Sequence, residues 1–207
     1  MVRAKLIQDL TTQMLRKITT TIADDGIRLL KKAYEKEKNS LAKEGLKAIL
    51  DNIEVASKRR TPLCQSPGTM TAYIILGTKI NIEGDVYQAV HEAVRTVTRE
   101  GYIRPSVVHP ITRVNTGDGT GKNFPNVEIE LKPNVDYMDL IVHLKGAEDS
   151  LGASMKLFLP AQIGPNAEGI KKFVLETVLR AGCSCCPPIG IGVGVGGSID
   201  VAAKLSR

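Results

Sequence analysis

The spacing of apolar residues changes at Thr61 and Pro62, and this change constrains the fold more than any other feature. Upstream, apolar residues recur every three or four positions in runs over residues 6–18, 27–34 and 41–53. This period is typical of amphipathic helices, so the sequence predicts a helical region through about residue 60. Downstream, short β-rich runs alternate with helical runs.

These downstream runs predict an α+β fold, in which a helical N-terminal part packs on a mixed or antiparallel β-sheet core with flanking helices. We expect one domain over residues 1–207, with 1–60 as the helical part and 61–207 as the core. The last predicted helix opens at Ser198 and has no stop signal before residue 207, so we expect a further C-terminal segment. The predicted strands are 70–76, 127–131, 139–144 and 189–195, and the predicted helices after residue 61 are 85–99, 167–179 and the one from Ser198.

Composition excludes several classes of protein. Hydrophobic residues make up 43% of the 207 residues and charged residues 24%, which is typical of a globular domain rather than a disordered chain. No apolar run is long enough to span a bilayer, and the N-terminus has no signal-peptide pattern, so we expect a cytoplasmic protein without a membrane partner. The net charge of +6 comes from basic residues mixed with acids and without interleaved aromatics. This pattern argues against nucleic acid and is compatible with small anionic substrates.

The four cysteines are Cys64, which stands alone, and the crowded Cys183, Cys185 and Cys186. Such a distribution is a poor disulfide framework, and in a reducing compartment clustered thiols are more often metal ligands or reactive groups. We expect Cys183 and Cys185 to be inert buried residues. Cys64 and Cys186 each lie in a proline-constrained turn next to a predicted strand, which suggests that they converge on one site. Spacing alone leaves a zinc site open as an alternative.

Two other patterns are weaker. Residues 192–197 satisfy G-x-G-x-x-G, but the βαβ unit and the following acidic residue of a dinucleotide site are missing, so a close-packed strand-to-helix turn is the better interpretation. The histidines show no spacing typical of metal ligands, and we expect His91, His109 and His143 to be structural.

Several ordered segments resemble the iron–sulfur hydro-lyases, the class I fumarases and L-tartrate dehydratases. Residues 62–69 (Pro-Leu-Cys-Gln-Ser-Pro-Gly-Thr) resemble the family's first cysteine segment. Residues 113–118 resemble its Asn-Thr-Gly segment, and 144–146 its Lys-Gly segment. Residues 173–182 resemble the helix before the second cysteine, and 186–197 the Cys-Pro-Pro run with its glycine-rich continuation. The resemblance covers nearly the whole chain.

The resemblance implies a [4Fe–4S] cluster held by three cysteines, with one iron left open to substrate. It assigns Cys64 and Cys186 as two ligands and places the third beyond residue 207 or in another chain. It also implies that Gln65, Arg104 and Gly146 bind a hydroxy-dicarboxylate of the malate or tartrate type. Asn115 and Thr116 are expected to shape their loop rather than touch substrate.

The resemblance further implies an α-subunit or N-terminal domain that needs a β-type partner and forms a homo- or hetero-oligomer. Two departures favour an alternative, a non-catalytic or altered-specificity relative that serves as a binding or regulatory module. Ser66 replaces an aspartate and is a poor base near neutral pH. Ala147, Glu148 and Asp149 replace the expected glycines and serine. No catalytic proton-transfer residue is assigned from the sequence.

Overall fold

The computed structural model describes residues 1–146 and 151–207. The chain divides into two compact units, Met1–Gly146 and Ala147–Arg207, which are treated separately below. The predicted residues Ala147, Glu148 and Asp149 lie outside the described residues. None of the described helices is long and apolar enough to cross a membrane.

The first unit begins with the predicted helices, which are α1 (Ala4–Thr20), α2 (Asp24–Lys36) and α3 (Ser40–Arg59). A fourth helix, α4 (Val86–Arg99), follows later in the chain. Side chains that precede two of these helices cap them, because Asn39 Oδ1 accepts from Ala42 N at 3.1 Å and Asp85 Oδ1 accepts from Gln88 N at 3.0 Å. Each cap satisfies a backbone donor that the first helical turn leaves open.

The strands of the first unit form two sheets. A small parallel pair joins β1 (Val2–Arg3) to β3 (Ile82–Glu83). The main sheet has the order β4-β2-β5, built from β2 (Thr69–Gly77), β4 (Asn126–Lys132) and β5 (Met138–Lys145). β2 pairs with β4 in parallel and with β5 antiparallel, so the mixed sheet of the predicted α+β fold is confirmed.

The core lies where α1 and α4 cover one face of the main sheet. Alternate residues of β2 face these helices, and the fully buried side chains include Ile7, Leu15, Ile74, Val90 and Val97. Buried residues recur at every second position along β2 and at helical spacing along α4, so each element has one apolar face that packs into the core. This packing fixes β2, the central strand. The segment that carries Cys64 joins the sheet at the beginning of that strand.

The second unit contains α5 (Pro160–Ile163), α6 (Glu168–Ala181), α7 (Ile199–Leu205) and short 3₁₀ turns at Pro165–Ala167 and Gly182–Ser184. Phe158 and Phe173 pack edge to face with ring centroids 5.8 Å apart. No described residue of this unit is buried.

The predicted strand over residues 189–195 is wrong. The segment has no regular secondary structure, and Ile191, Val193 and Val195 are exposed rather than buried. Its alternating glycines instead lie against α7, where a Cβ on Gly192 or Gly194 would be 1.9 Å from a carbonyl oxygen. The described part of the second unit has no other strand whose backbone could pair with this segment, and a strand requires such a partner. Of the predicted close-packed strand-to-helix turn, the close packing against the helix is confirmed for Gly192, Gly194 and Gly197, but no strand precedes the turn.

Replacing Ile74 with alanine tests the assignment of the core. We expect Ile74→Ala to lower the free energy of unfolding by about 3 kcal/mol, because it leaves a cavity between the sheet and the helices. Ile141 lies on β5 with 52% of its surface exposed and serves as the matched control. We expect Ile141→Ala to cost less than about 1 kcal/mol. Equal losses in urea denaturation would contradict this assignment.

Candidate functional site

The segment that carries Cys64 is held by hydrogen bonds to two helices. α3 ends with Arg60 in a left-handed conformation, and Thr61 N donates to Ala56 O at 3.1 Å. Leu63 N then donates to Thr19 O at the end of α1, at 2.9 Å. The Leu63 carbonyl accepts from Asn52 Nδ2 of α3, also at 2.9 Å. Both backbone groups of the residue before Cys64 are therefore fixed.

Cys64 itself presents an exposed, free thiol. Ser66 N donates a hydrogen bond to Cys64 Sγ at 3.4 Å, so the turn directs a backbone donor toward the sulfur. An open cavity of about 310 Å³ lies beside the thiol and is lined by Thr19, Pro67 and the end of β5. An exposed sulfur with a directed N–H group is the environment of a ligand or nucleophile rather than of a packed core cysteine.

Gly68 fixes this segment onto the end of β5. Its φ of +108° lies in a region that favours glycine, and a Cβ there would be 2.0 Å from Lys145 O. Thr69 then pairs with Lys145 in the antiparallel ladder. The predicted substrate-binding Gly146 consequently lies directly beside the segment that carries Cys64 and Gln65.

Arg104 reaches the same end of the sheet from α4. Gly101, two residues after the end of this helix, has a φ of +83°, and Tyr102 N donates to Val97 O at 2.9 Å in a Schellman motif. Ile103 is buried in the core, and the exposed Arg104 follows it. Arg104 lines a water-sized cavity of about 10 Å³ together with Gly68 and Thr69. Residues from three distant parts of the first unit therefore meet where β2 begins and β5 ends.

Gln65 is exposed next to Cys64, and its side chain makes no hydrogen bond to the part of the chain that the structure describes. Its amide is therefore open to a ligand. Gly146 is the last described residue of the first unit and has no side chain.

Cys186 belongs to the second unit, where it follows the 3₁₀ turn Gly182–Ser184 and precedes Pro187. It is exposed and forms no disulfide with a described residue. The expected burial of its neighbours is wrong, since Cys183 is exposed and Cys185 is partly exposed. No described residue of the second unit is buried, so the described part of this unit has no interior that could enclose these thiols. Neither unit holds a described group of three histidine, cysteine or acidic residues that could bind a metal.

A charged network that joins the loop of Asp118 to Arg95 on α4 was not predicted from the sequence. Asp118 Oδ1 accepts from Thr116 Oγ1, Thr120 N and Thr120 Oγ1 at 2.7–2.9 Å, and Asp118 Oδ2 accepts from Arg95 Nε at 3.0 Å. Partial burial acts to raise the pKa of Asp118, but these hydrogen bonds outweigh it and hold the pKa well below its usual range. The loop pattern Asn-Thr-Gly-Asp-Gly-Thr after a helix with an arginine is the signal that could have indicated it.

Comparison with known proteins supports the resemblance over most of the chain. The sequence profile of the family described as fumarate hydratase (Fumerase) matches residues 8–207. A protein named putative L(+)-tartrate dehydratase subunit alpha from Methanocaldococcus jannaschii is 36% identical over 204 residues, which cover 97% of this chain and 70% of that protein. The L(+)-tartrate dehydratase subunit alpha of Escherichia coli strain UTI89 is 28% identical, and the match covers 97% of this chain and 65% of the relative. The chain thus spans roughly two thirds of the length of these relatives.

Replacing Gly68 with alanine tests the contact between the Cys64 segment and β5. We expect Gly68→Ala to lower the free energy of unfolding by at least about 2 kcal/mol, because the new Cβ would meet the Lys145 carbonyl at a strained φ. Gly45 lies within α3 with open space around its Cβ position, so Gly45→Ala is the matched control. That control should gain about 0.5–1 kcal/mol. A Gly68→Ala protein as stable as wild type in thermal denaturation would rule out the close contact.

The lowered pKa of Asp118 predicts that the stability of the protein depends on pH. Because its folded pKa lies below the unfolded value near 3.8, its contribution is fully present above that pH and is lost as pH falls through the folded pKa. We expect Asp118→Asn to lower stability by about 1 kcal/mol at pH 7 and to flatten the stability profile below about pH 5. Asp9→Asn removes an exposed ion pair with Lys5 and should leave the stability at pH 7 nearly unchanged. Urea denaturation from pH 7 to pH 2 measures both effects.

Proposed function

Since the chain belongs to the fumarate hydratase (Fumerase) family, we propose that it is the α-type component of a [4Fe–4S] hydro-lyase. Its reaction would be the reversible dehydration of a hydroxy-dicarboxylate such as malate or tartrate. The observation that carries the proposal is the meeting of the Cys64 segment, Arg104 and Gly146 at one end of the main sheet.

The donors of this chain fit an iron–sulfur cluster. Cys64 and Cys186 are exposed cysteines that form no disulfide with a described residue, and soft thiolates are the ligands that such clusters use. The Ser66 N–H group that donates to Cys64 Sγ is of the kind that tunes cluster sulfur. Cys64 and Cys186 would hold the group, and we assign the third cysteine to another segment or chain. When bound, the cluster would supply a Lewis-acidic iron for the substrate hydroxyl and carboxylate.

The residues of the first unit would bind and orient the dicarboxylate. The guanidinium of Arg104 offers a planar pair of donors that matches a carboxylate. The Gln65 amide, which is open beside Cys64, would donate to a carboxylate oxygen. Gly146 would admit substrate close to the backbone, because it has no side chain at the end of β5.

Proton transfer requires groups beyond those in this site. The resemblance implies an aspartate at the position of Ser66, and a serine hydroxyl cannot serve as a comparable base near neutral pH. We therefore assign the proton-transfer groups mainly to a β-type subunit. The name "subunit alpha" of the relatives is consistent with such a partner. By this proposal, this chain helps to hold the cluster and orients the substrate, and turnover requires the complex.

Anaerobic reconstitution with iron and sulfide tests the cluster assignment. We expect wild type to bind iron and acid-labile sulfide with the visible absorption of a cluster, and Cys64→Ala and Cys186→Ala to lose both. Cys183→Ala removes another exposed thiol and should retain the cluster, so it is the matched control. Full iron content in Cys64→Ala would refute the assignment.

The same preparations, mixed with a β-type subunit, test the reaction. We expect dehydration of malate or tartrate by the wild-type complex and none by the chain alone. A complex that retains its cluster and turns over neither compound would point instead to a binding or regulatory role. Wild type without iron, even in the complex, would overturn the proposed function itself.

A further inference from the structure

Two asparagine side chains hold the backbone directly beside Cys64 and beside Arg104. Asn52 Nδ2 donates to the carbonyl of Leu63, the residue before Cys64, at 2.9 Å. Asn115 Nδ2 donates to the carbonyl of Pro105, the residue after Arg104, at 2.7 Å. In each case an amide from a different segment fixes the peptide next to a proposed site residue.

The first clamp ties the Cys64 segment to a helix that is itself anchored. Asn52 lies on α3 next to Ile53, which is buried in the first unit. The N–H group of Leu63 is fixed separately by Thr19 O at 2.9 Å. Asn52 therefore supplies the second restraint on Leu63 and sets the direction in which the chain enters Cys64.

The second clamp completes the restraint on Arg104. Ile103 is buried on one side, and on the other Ser106 N donates to Arg104 O at 2.8 Å in a tight turn around Pro105. Asn115 holds the outer carbonyl of this turn, and its Oδ1 accepts from Gly117 N at 2.7 Å. A short turn with fixed carbonyls at both residues leaves Arg104 little freedom at its backbone.

The loop of Asn115 is anchored in turn by the charged network. Asp118 accepts from Arg95 on α4 at 3.0 Å, and Gly119 lies against Thr98 of the same helix so closely that a Cβ would be 2.4 Å from Thr98 Oγ1. The loop thus transmits the position of α4, which is packed in the core, to the turn that follows Arg104.

We propose that Asn52 and Asn115 are positioning residues of the hydro-lyase site, Asn52 for the ligand Cys64 and Asn115 for the carboxylate-binding Arg104. This inference rests on the proposed function. Neither asparagine touches the reacting atoms. Each acts by holding a backbone segment, and binding constellations lose efficiency when their members are displaced by an ångström or less.

Paired substitutions separate the two roles. Asparagine and aspartate have the same shape, but an ionised aspartate cannot donate, so Asn52→Asp and Asn115→Asp each remove one restraint without a change of volume. Each variant is the matched control for the other. Asn52→Ser and Asn115→Ser, whose side chains are shorter and uncharged, repeat the test if an added charge prevents folding.

Amide hydrogen exchange on the chain alone, measured by NMR, reads the restraints directly. We expect the amides of Leu63 and Ser66 to exchange ~10-fold faster in Asn52→Asp, because their loop opens more often, while Ser106 is unchanged. In Asn115→Asp we expect the reverse pattern. Uniform acceleration in both variants, or none, would overturn the proposal.

The consequences for the site should separate in the same way. Asn52→Asp should lower the iron bound per chain after reconstitution, whereas Asn115→Asp should leave it unchanged. In the complex with a β-type subunit, Asn115→Asp should raise KM for the dicarboxylate ~10-fold with little change in kcat, as expected for lost uniform binding. Equal losses of iron in both variants would identify the asparagines as merely structural and overturn the proposal. If wild type binds no iron, the proposed function fails, and hydrogen exchange alone decides whether the two clamps exist.

Discussion

The contact of Gly68 with the Lys145 carbonyl is the constraint on which the candidate site depends. Backbone meets backbone there, without room for a Cβ, and the antiparallel pairing of β2 with β5 begins one residue later. Because β2 is the central strand, anything that moves this contact moves the start of the sheet. The same contact brings the segment of Cys64 and Gln65 beside Gly146. The fold and the candidate site therefore depend on the same contact.

Around this contact, the polar side chains form hydrogen bonds to backbone groups more than ion pairs with one another. Leu63 is held through both its N–H group and its carbonyl, and the turn after Arg104 is held through two carbonyls. Backbone hydrogen bonds of this kind fix a segment without placing a competing charge beside the side chain that must bind substrate. Asp118 and Arg95 form an ion pair at 3.0 Å that joins the loop of Asn115 to α4.

Much of the fold was predictable because its signals are local. The helices of the first sixty residues, the central strand and the amphipathic α4 follow from periods that any window of the sequence displays. The segment over residues 189–195 misled because alternation between glycine and β-branched residues describes an extended chain equally well with or without a partner strand. The exposure of Cys183 and Cys185 was missed for a related reason, since burial depends on what surrounds a segment and not on its own residues. The clamps of Asn52 and Asn115 could not be predicted either, because each joins residues about ten positions apart through a turn whose path the sequence does not specify.

The sequence by itself determined the kinds of groups that this protein can use. Its cysteines in proline-rich turns, its glutamine and arginine, and the ordered segments shared with the hydro-lyases are properties of residue type and order. Only the tertiary structure decided which of these groups in the first unit lie together. The physical reason is that Cys64, Arg104 and Gly146 are brought to one end of the sheet by the pairing of β2 with β5 and by the packing of α4, which are interactions between residues far apart in the chain. The chemistry of each side chain follows from its residue type, whereas the position of one group relative to another is set by long-range packing.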